Sequence, residues 1–166
     1  MKIVKENLDT KNTFTRDSGD KLSNLGIGKI LQIKTWLEEH DVTNYSLNSD
    51  LSIDVLQSLD FSYDEIEFPS YIKFRKVLGD YRLKHCDIES LIGGPEIVTG
   101  TFYCINTTVK NFDGAPIEVH NDCNIYDNDN LSPNEIDKFE NTSEIRGNVY
   151  TSYTLVDPFE NPYEDI

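Results

Sequence analysis

Between Leu78 and Leu91 apolar side chains fall at Leu78, Tyr81, Leu83, Cys86, Ile88 and Leu91, and a related spacing returns 21 residues later. Leu83 aligns with Cys104, Ile88 with Val109, Leu91 with Phe112 and Gly93 with Gly114. A second step of 21 carries Phe102 to Cys123, Cys104 to Ile125, Pro95 to Pro116 and Val98 to Val119. A step of 22 backwards carries Tyr81 to Leu59, Leu83 to Phe61 and Ile88 to Ile66. A fixed period of this length is the signature of a solenoid, in which each unit buries its apolar face only by stacking on its neighbours.

Within a unit, the alternation at Tyr81, Arg82 and Leu83 predicts a short strand with Tyr81 and Leu83 on the core side and Arg82 on the other. Upstream, Ile30, Ile33, Trp36 and Leu37 share one face of a helix predicted over 28–40, with Lys34, Glu38 and Glu39 mostly outside. Tyr45 to Leu47 and Leu51 to Val55 alternate around Asn48-Ser49-Asp50 and read as a hairpin joining that helix to the first repeat. Downstream, Ser132 as N-cap, Pro133 at the first helical position and Glu135 completing a capping box predict a short helix over 132–141. After it, Glu144 to Thr151 resembles Ile97 to Cys104 and predicts a fifth, capping repeat. The expected organisation is a flexible leader over 1–24, an N-terminal cap over 25–55, repeats over 56–132, and a capping repeat with an acidic tail over 133–166.

The segment Leu78-x-x-Tyr81-x-Leu83-x-x-Cys86-x-Ile88-x-x-Leu91 resembles the leucine-rich repeat, in which a strand turns through a polar ladder position. The unit LIGGPEIVTGTFYCIN (91–106) is similar to those of short leucine-rich-repeat proteins encoded by phages and prophages. The likeness extends to IKTWLEEHDVTNYSLNSDLSIDV (33–55) and FPSYIKFRKVLGDYRL (68–83). The resemblance implies an α/β fold: a short leucine-rich-repeat solenoid with a parallel β-sheet, a helix-plus-hairpin cap before it and a helix/strand cap after it. It also implies a recognition scaffold, phage-encoded and aimed at a host protein. This chain departs from the pattern by placing Asp64, Cys86 and Thr107 at the ladder position usually held by Asn, with only Asn128 matching.

An apolar content of 37% over 166 residues suits a thin, elongated core better than a thick one. Thirty acidic against 15 basic residues leave a net charge of −15, so most of the surface repels phosphates and direct nucleic-acid binding is disfavoured. Such a surface suits solubility, a basic partner, or the mimicry of nucleic acid in a basic groove. No apolar run approaches the ~18 residues of a membrane span. The three cysteines, Cys86, Cys104 and Cys123, are an odd set without a C-x-x-C pair, and no apolar signal segment opens the sequence. The reading is a cytoplasmic protein with reduced thiols.

The G-x-x-x-x-G-K-S/T loop, H-E-x-x-H helix and G-x-S-x-G elbow are absent, so no catalytic residue, metal site or cofactor is expected. Cys104 and Cys123 fall at core-side repeat positions and Cys86 at the ladder position, which suits packing. His40, His85 and His120 have no second ligand at helical spacing. A calcium loop beginning at Asp122 needs Gly at position 127 and Glu at 133, where the chain has Asp127 and Pro133.

One constellation remains. The outward strand positions are Asp60, Arg82, Tyr103, Asn124 and Tyr150, followed by Tyr63, Lys84 with His85, Ile105, Tyr126 and Tyr153. They predict an aromatic-rich concave face about 19 Å across, wide enough for a helix or loop of a protein partner. Its partner-binding candidates are Tyr63, Arg82, Lys84, His85, Tyr103, Ile105, Tyr126, Tyr150 and Tyr153. Tyr and Ile also suit any exposed strand without a partner. The expected function is a non-enzymatic protein-interaction module, with acidic nucleic-acid mimicry as the alternative.

Overall fold

The computed structural model describes residues 26–152 together with the backbone of residues 13 and 14. The expected flexible leader and acidic tail otherwise lie outside the described residues. Strand β1 (Thr13–Phe14) runs parallel to β2 (Tyr45–Leu47), and helix α1 (Gly26–Glu39) lies between them in sequence. The predicted hairpin is present: β2 pairs antiparallel with β3 (Ile53–Val55), and Asn48 closes the turn by bonding the backbone and hydroxyl of Ser52.

The repeats then follow as coils. Strands β4 (Leu59–Asp60), β6 (Tyr81–Lys84), β8 (Phe102–Ile105) and β10 (Cys123–Tyr126) are joined by β12 (Val149–Thr151) in a parallel five-stranded sheet. Its register is the one the period predicts, with Tyr81 beside Leu59 and Phe102, and Cys123 beside Phe102 and Val149. The segment resembling Ile97 to Cys104 is therefore stacked on the fourth coil, with Asn124 beside Tyr150.

The expectation of one sheet is corrected. Strands β5 (Phe74–Val77), β7 (Ile97–Val98), β9 (Glu118–Val119) and β11 (Glu144–Ile145) join β1, β2 and β3 in a second sheet of seven strands. Its strands are mostly two residues long, too short to show an alternation, but Val77, Val98 and Val119 stack in register on its core side. The chain is thus an α/β solenoid of about four turns, with a parallel sheet on one side and a sheet parallel apart from its β2–β3 hairpin on the other.

A sharp corner joins the two sheets. Gly79, Gly100, Asn121 and Gly147 stack there through N–H to carbonyl bonds of 2.8–3.2 Å. A Cβ on Gly100 would lie 2.6 Å from the Gly79 oxygen, so no larger residue fits. The next position makes a polar ladder: Ser58 Oγ accepts from Asp80 N–H, Asp80 Oδ1 from Thr101 N–H, and Asp122 Oδ1 from Asn148 N–H, at 2.8–3.1 Å. These side chains satisfy backbone donors that a tight corner leaves outside the sheets.

The core is one continuous column containing Tyr81, Leu83, Ile88, Leu91, Val98, Phe102 and Ile125, all at most 1% exposed. Burying each aliphatic side chain stabilises by about 1.5–3 kcal/mol, and stacking supplies that burial coil after coil. Helix α1 adds Ile33, Trp36 and Leu37, and Trp36 meets Phe61, Phe68 and Phe74 at 5.9–6.1 Å. Helix α2 (Pro133–Thr142) replaces part of the last loop and stacks Phe139 on Phe112 at 4.6 Å. Ser132 caps it, accepting from Glu135 N–H at 3.3 Å, but the reciprocal half of the predicted capping box is absent. The Glu135 carboxylate faces Lys138 instead, 4.0 Å away.

Candidate functional site

The sequence-predicted surface is the outward side of the five-stranded sheet. Parallel register brings Asp60, Arg82, Tyr103, Asn124 and Tyr150 into one row, as expected. The next row holds Lys84, Ile105 and Tyr126, flanked by Ser62, whose Oγ accepts from Lys84 N–H at 3.4 Å. Tyr63 stands beside His85, as the 22-residue first step places it, and its N–H donates to the Lys84 carbonyl at 2.9 Å. Thr151 sits opposite Ile125, so Ser152 follows Tyr126, and Tyr153 is outside the described residues. Ser152 Oγ accepts from Asp127 N–H at 2.9 Å, which fixes this end of the row.

Ile105 is also corrected. Alternation places it on the outward side, yet it is only 6% exposed and takes no part in the core cluster. Lys84 and Tyr126 flank it in register, so it is a small apolar floor within the outward face rather than an exposed contact.

Past the strand ends runs a third row that the sequence did not reveal. Tyr63, His85, Asn106 and Asp127 all have left-handed backbones, with φ of 69°, 53°, 50° and 57°. Side chains in this conformation cost energy unless the turn requires it, and here the same turn recurs in each coil. Tyr63 is 76% exposed and stacks on the His85 ring at 5.2 Å and 15°. Asn106 Nδ2 donates to His85 Nδ1 at 2.8 Å, which orients the imidazole.

At the centre stands Tyr103. The Lys84 ammonium lies 4.3 Å from its ring centroid and the Arg82 guanidinium carbon 5.8 Å from it. Arg82 is held by Asp80 at 2.6 Å and Asp60 at 3.8 Å, so much of its charge is matched. Lys84 has no carboxylate partner among the described residues. Tyr126 is half-buried, and Tyr150 is 37% exposed with its hydroxyl accepting from Asn148 at 3.4 Å. The face therefore combines a cationic centre with tyrosines in a strongly acidic chain, a composition found at protein-binding hot spots.

The outward side of the seven-stranded sheet is different in kind. Asp54 is paired with Arg75, while Glu118 takes both Arg146 and His120 at 2.7 Å, so its charges are largely matched within the sheet. A groove of about 660 Å³ lies along one coil edge, lined by Glu65, Glu67, Asp87 and Glu89 with Phe68 and Ile92.

All three cysteines are free and buried, and burial pushes each thiol up to about 12. A thiol held protonated and enclosed is a packing group and a poor nucleophile. Among the described residues no three His, Cys, Asp or Glu side chains converge as metal ligands, and no helix is long and apolar enough to cross a membrane.

No protein-family model matches the chain, and no curated protein or solved structure shows significant similarity to it.

Proposed function

We propose that the protein is a non-enzymatic interaction module that grips a protein partner on the outward side of its five-stranded sheet. The observation that carries this reading is the cluster at Tyr103, where Lys84, Arg82 and the in-register tyrosines Tyr126 and Tyr150 gather on one rigid surface. None of these side chains is needed to fill the core. Tyrosine offers large contact area at low entropic cost, and a cation that is not carboxylate-paired offers electrostatic complementarity. The buried, protonated thiols suit packing and support binding over catalysis by a cysteine.

The repeat spacing supports a leucine-rich-repeat solenoid of the phage-encoded type, with α1 and the β2–β3 hairpin as its first cap and α2 with β11 and β12 as its second. The partner is then a host protein met in the cytoplasm and inhibited or modulated there.

A second reading is favoured by the groove lined by Glu65, Glu67, Asp87 and Glu89, two pairs of carboxylates on successive coils. In it the chain imitates nucleic acid and fills a basic groove. One experiment separates the two. Immobilised protein and its Tyr103→Ala/Tyr126→Ala variant are exposed to host lysate, with and without competing DNA or RNA. Loss of a retained protein on the tyrosine variant, with no effect of nucleic acid, supports the sheet-face reading; competition by nucleic acid with a silent tyrosine variant supports mimicry.

A further inference from the structure

We infer that one edge of the solenoid, from the first coil to helix α2, is a docking groove for a protein segment that is basic at one end and aliphatic at the other. Two recesses open along this edge, of about 660 Å³ and 330 Å³. Both are lined by Ile92, which forms the ridge between them. Phe68 contributes an apolar wall to the first recess, and Phe112, Ala115 and Phe139 line the second. Ile92 is 66% exposed, and Ile117, at the second recess, 60%. Neither belongs to the core cluster. Two large aliphatic side chains left in water beside recesses mark a place where a partner's methyl groups can leave water with them.

Charge separates the two halves. The first recess carries Glu65, Glu67, Asp87 and Glu89, and among the described residues no basic side chain lines it. Glu65 and Asp87 are parallel neighbours on adjacent coils, so like charges stand side by side there. Lys110 reaches Glu89 at 3.5 Å, but both side chains are mostly exposed and such a pair is weak. The second recess is balanced: Lys73 is paired with Glu96 at 3.4 Å, and Lys138 lies 3.8 Å from Asp113 and 4.0 Å from Glu135. An occupant matched to both halves lays Lys or Arg over the first recess, with its stem on Phe68, and uncharged aliphatic side chains over Ile92 and Ile117. The carboxylates alone would attract any cation; the exposed isoleucines and the balanced second recess select a segment of mixed character. In the mimicry reading this chain enters a partner's groove, whereas here a partner's segment enters this one. The tyrosine face takes no part, so either surface can fail without the other.

The test titrates the full chain with the peptides Ac-RRLLL-NH2, Ac-RRSSS-NH2 and Ac-EELLL-NH2, each made in both sequence orders, and follows the backbone amide resonances at one ionic strength. The better order of the first peptide should give saturable shifts in residues 65–70, 87–94 and 112–117, and bind at least about tenfold more tightly than the other two peptides. Glu65→Gln/Glu67→Gln should remove most of its advantage over Ac-EELLL-NH2, and Ile92→Ser most of its advantage over Ac-RRSSS-NH2. Tyr103→Ala/Tyr126→Ala should change neither. Ac-RRSSS-NH2 binding as tightly as Ac-RRLLL-NH2 would reduce the groove to a general attraction of cations to an acidic chain and overturn the inference. Equal binding of Ac-EELLL-NH2, scattered or non-saturating shifts, or shifts centred on the tyrosine face would overturn it as well. Glu65, Glu67 and Ile92 are all exposed; if a variant still lowers the thermal midpoint, the peptide ratios on the unaltered chain decide alone.

Discussion

Asn128 and Thr107, one coil apart, are joined by two hydrogen bonds: Asn128 Oδ1 accepts from both the N–H and the hydroxyl of Thr107, each at 2.8 Å. Asn128 Nδ2 then donates to the Cys104 carbonyl at 2.7 Å. One amide therefore satisfies three polar groups of the preceding coil, at the ladder position where the repeat pattern asks for Asn.

Asn128→Ala should accordingly cost about 2–4 kcal/mol, because Thr107 is buried and its donors lose their acceptor. Asn128→Asp, which keeps the acceptor but loses the donor to Cys104, should cost less. Chemical denaturation of both variants checks the ranking; an Ala variant within about 0.5 kcal/mol of the parent would contradict it.

Tyr81 makes the opposite case. It is fully buried, stacks on Phe102 at 5.4 Å, and its hydroxyl has no hydrogen-bond partner among the protein groups described. Tyr81→Phe removes an unsatisfied group and leaves the ring, so stability should be unchanged or rise by up to about 1 kcal/mol. A loss above about 1 kcal/mol by denaturant midpoint would show that the hydroxyl is bonded in solution.

The thiols predict an alkaline limit. Burial holds Cys86, Cys104 and Cys123 near 12 in the folded chain, whereas unfolding returns them to an ordinary value near 8.5. Between these values the unfolded state releases protons that the folded state retains, so stability is fully present below about pH 8 and falls as pH rises towards 12, by at most about 1.4 kcal/mol per pH unit for each thiol. Burial raises Tyr45 and Tyr81 as well, in the same direction. Replacing the three cysteines by alanine and serine should flatten the alkaline slope in denaturation measured from pH 7 to 10; an unaltered slope would remove the thiols as its cause.

Much of this was legible in the sequence because a parallel solenoid stacks equivalent residues. The 21-residue step from Tyr81 to Phe102 to Cys123 is at once a repeat offset and a sheet register. The second sheet was not legible, since a two-residue strand such as Ile97–Val98 is held by backbone bonds and carries no alternation. Ile105 was misread for a related reason: alternation gives the side of the sheet, while exposure depends on the neighbours Lys84 and Tyr126. The left-handed row from Tyr63 to Asp127 has no shared residue type, so only its spacing could have marked it.

Titration calorimetry of the captured partner at low and high salt reads out whether the outward sheet face carries binding. The Tyr103→Ala/Tyr126→Ala variant should lose at least about 2 kcal/mol of binding at both salt concentrations while its thermal midpoint stays in place. Reversing the charges of Asp157, Glu160 and Glu164 in the acidic tail should cost less, act mainly on the association rate, and fade as salt rises. Abolition of binding by the tail reversals, with the tyrosine variant indistinguishable from the parent, would contradict the account and leave nucleic-acid mimicry in its place.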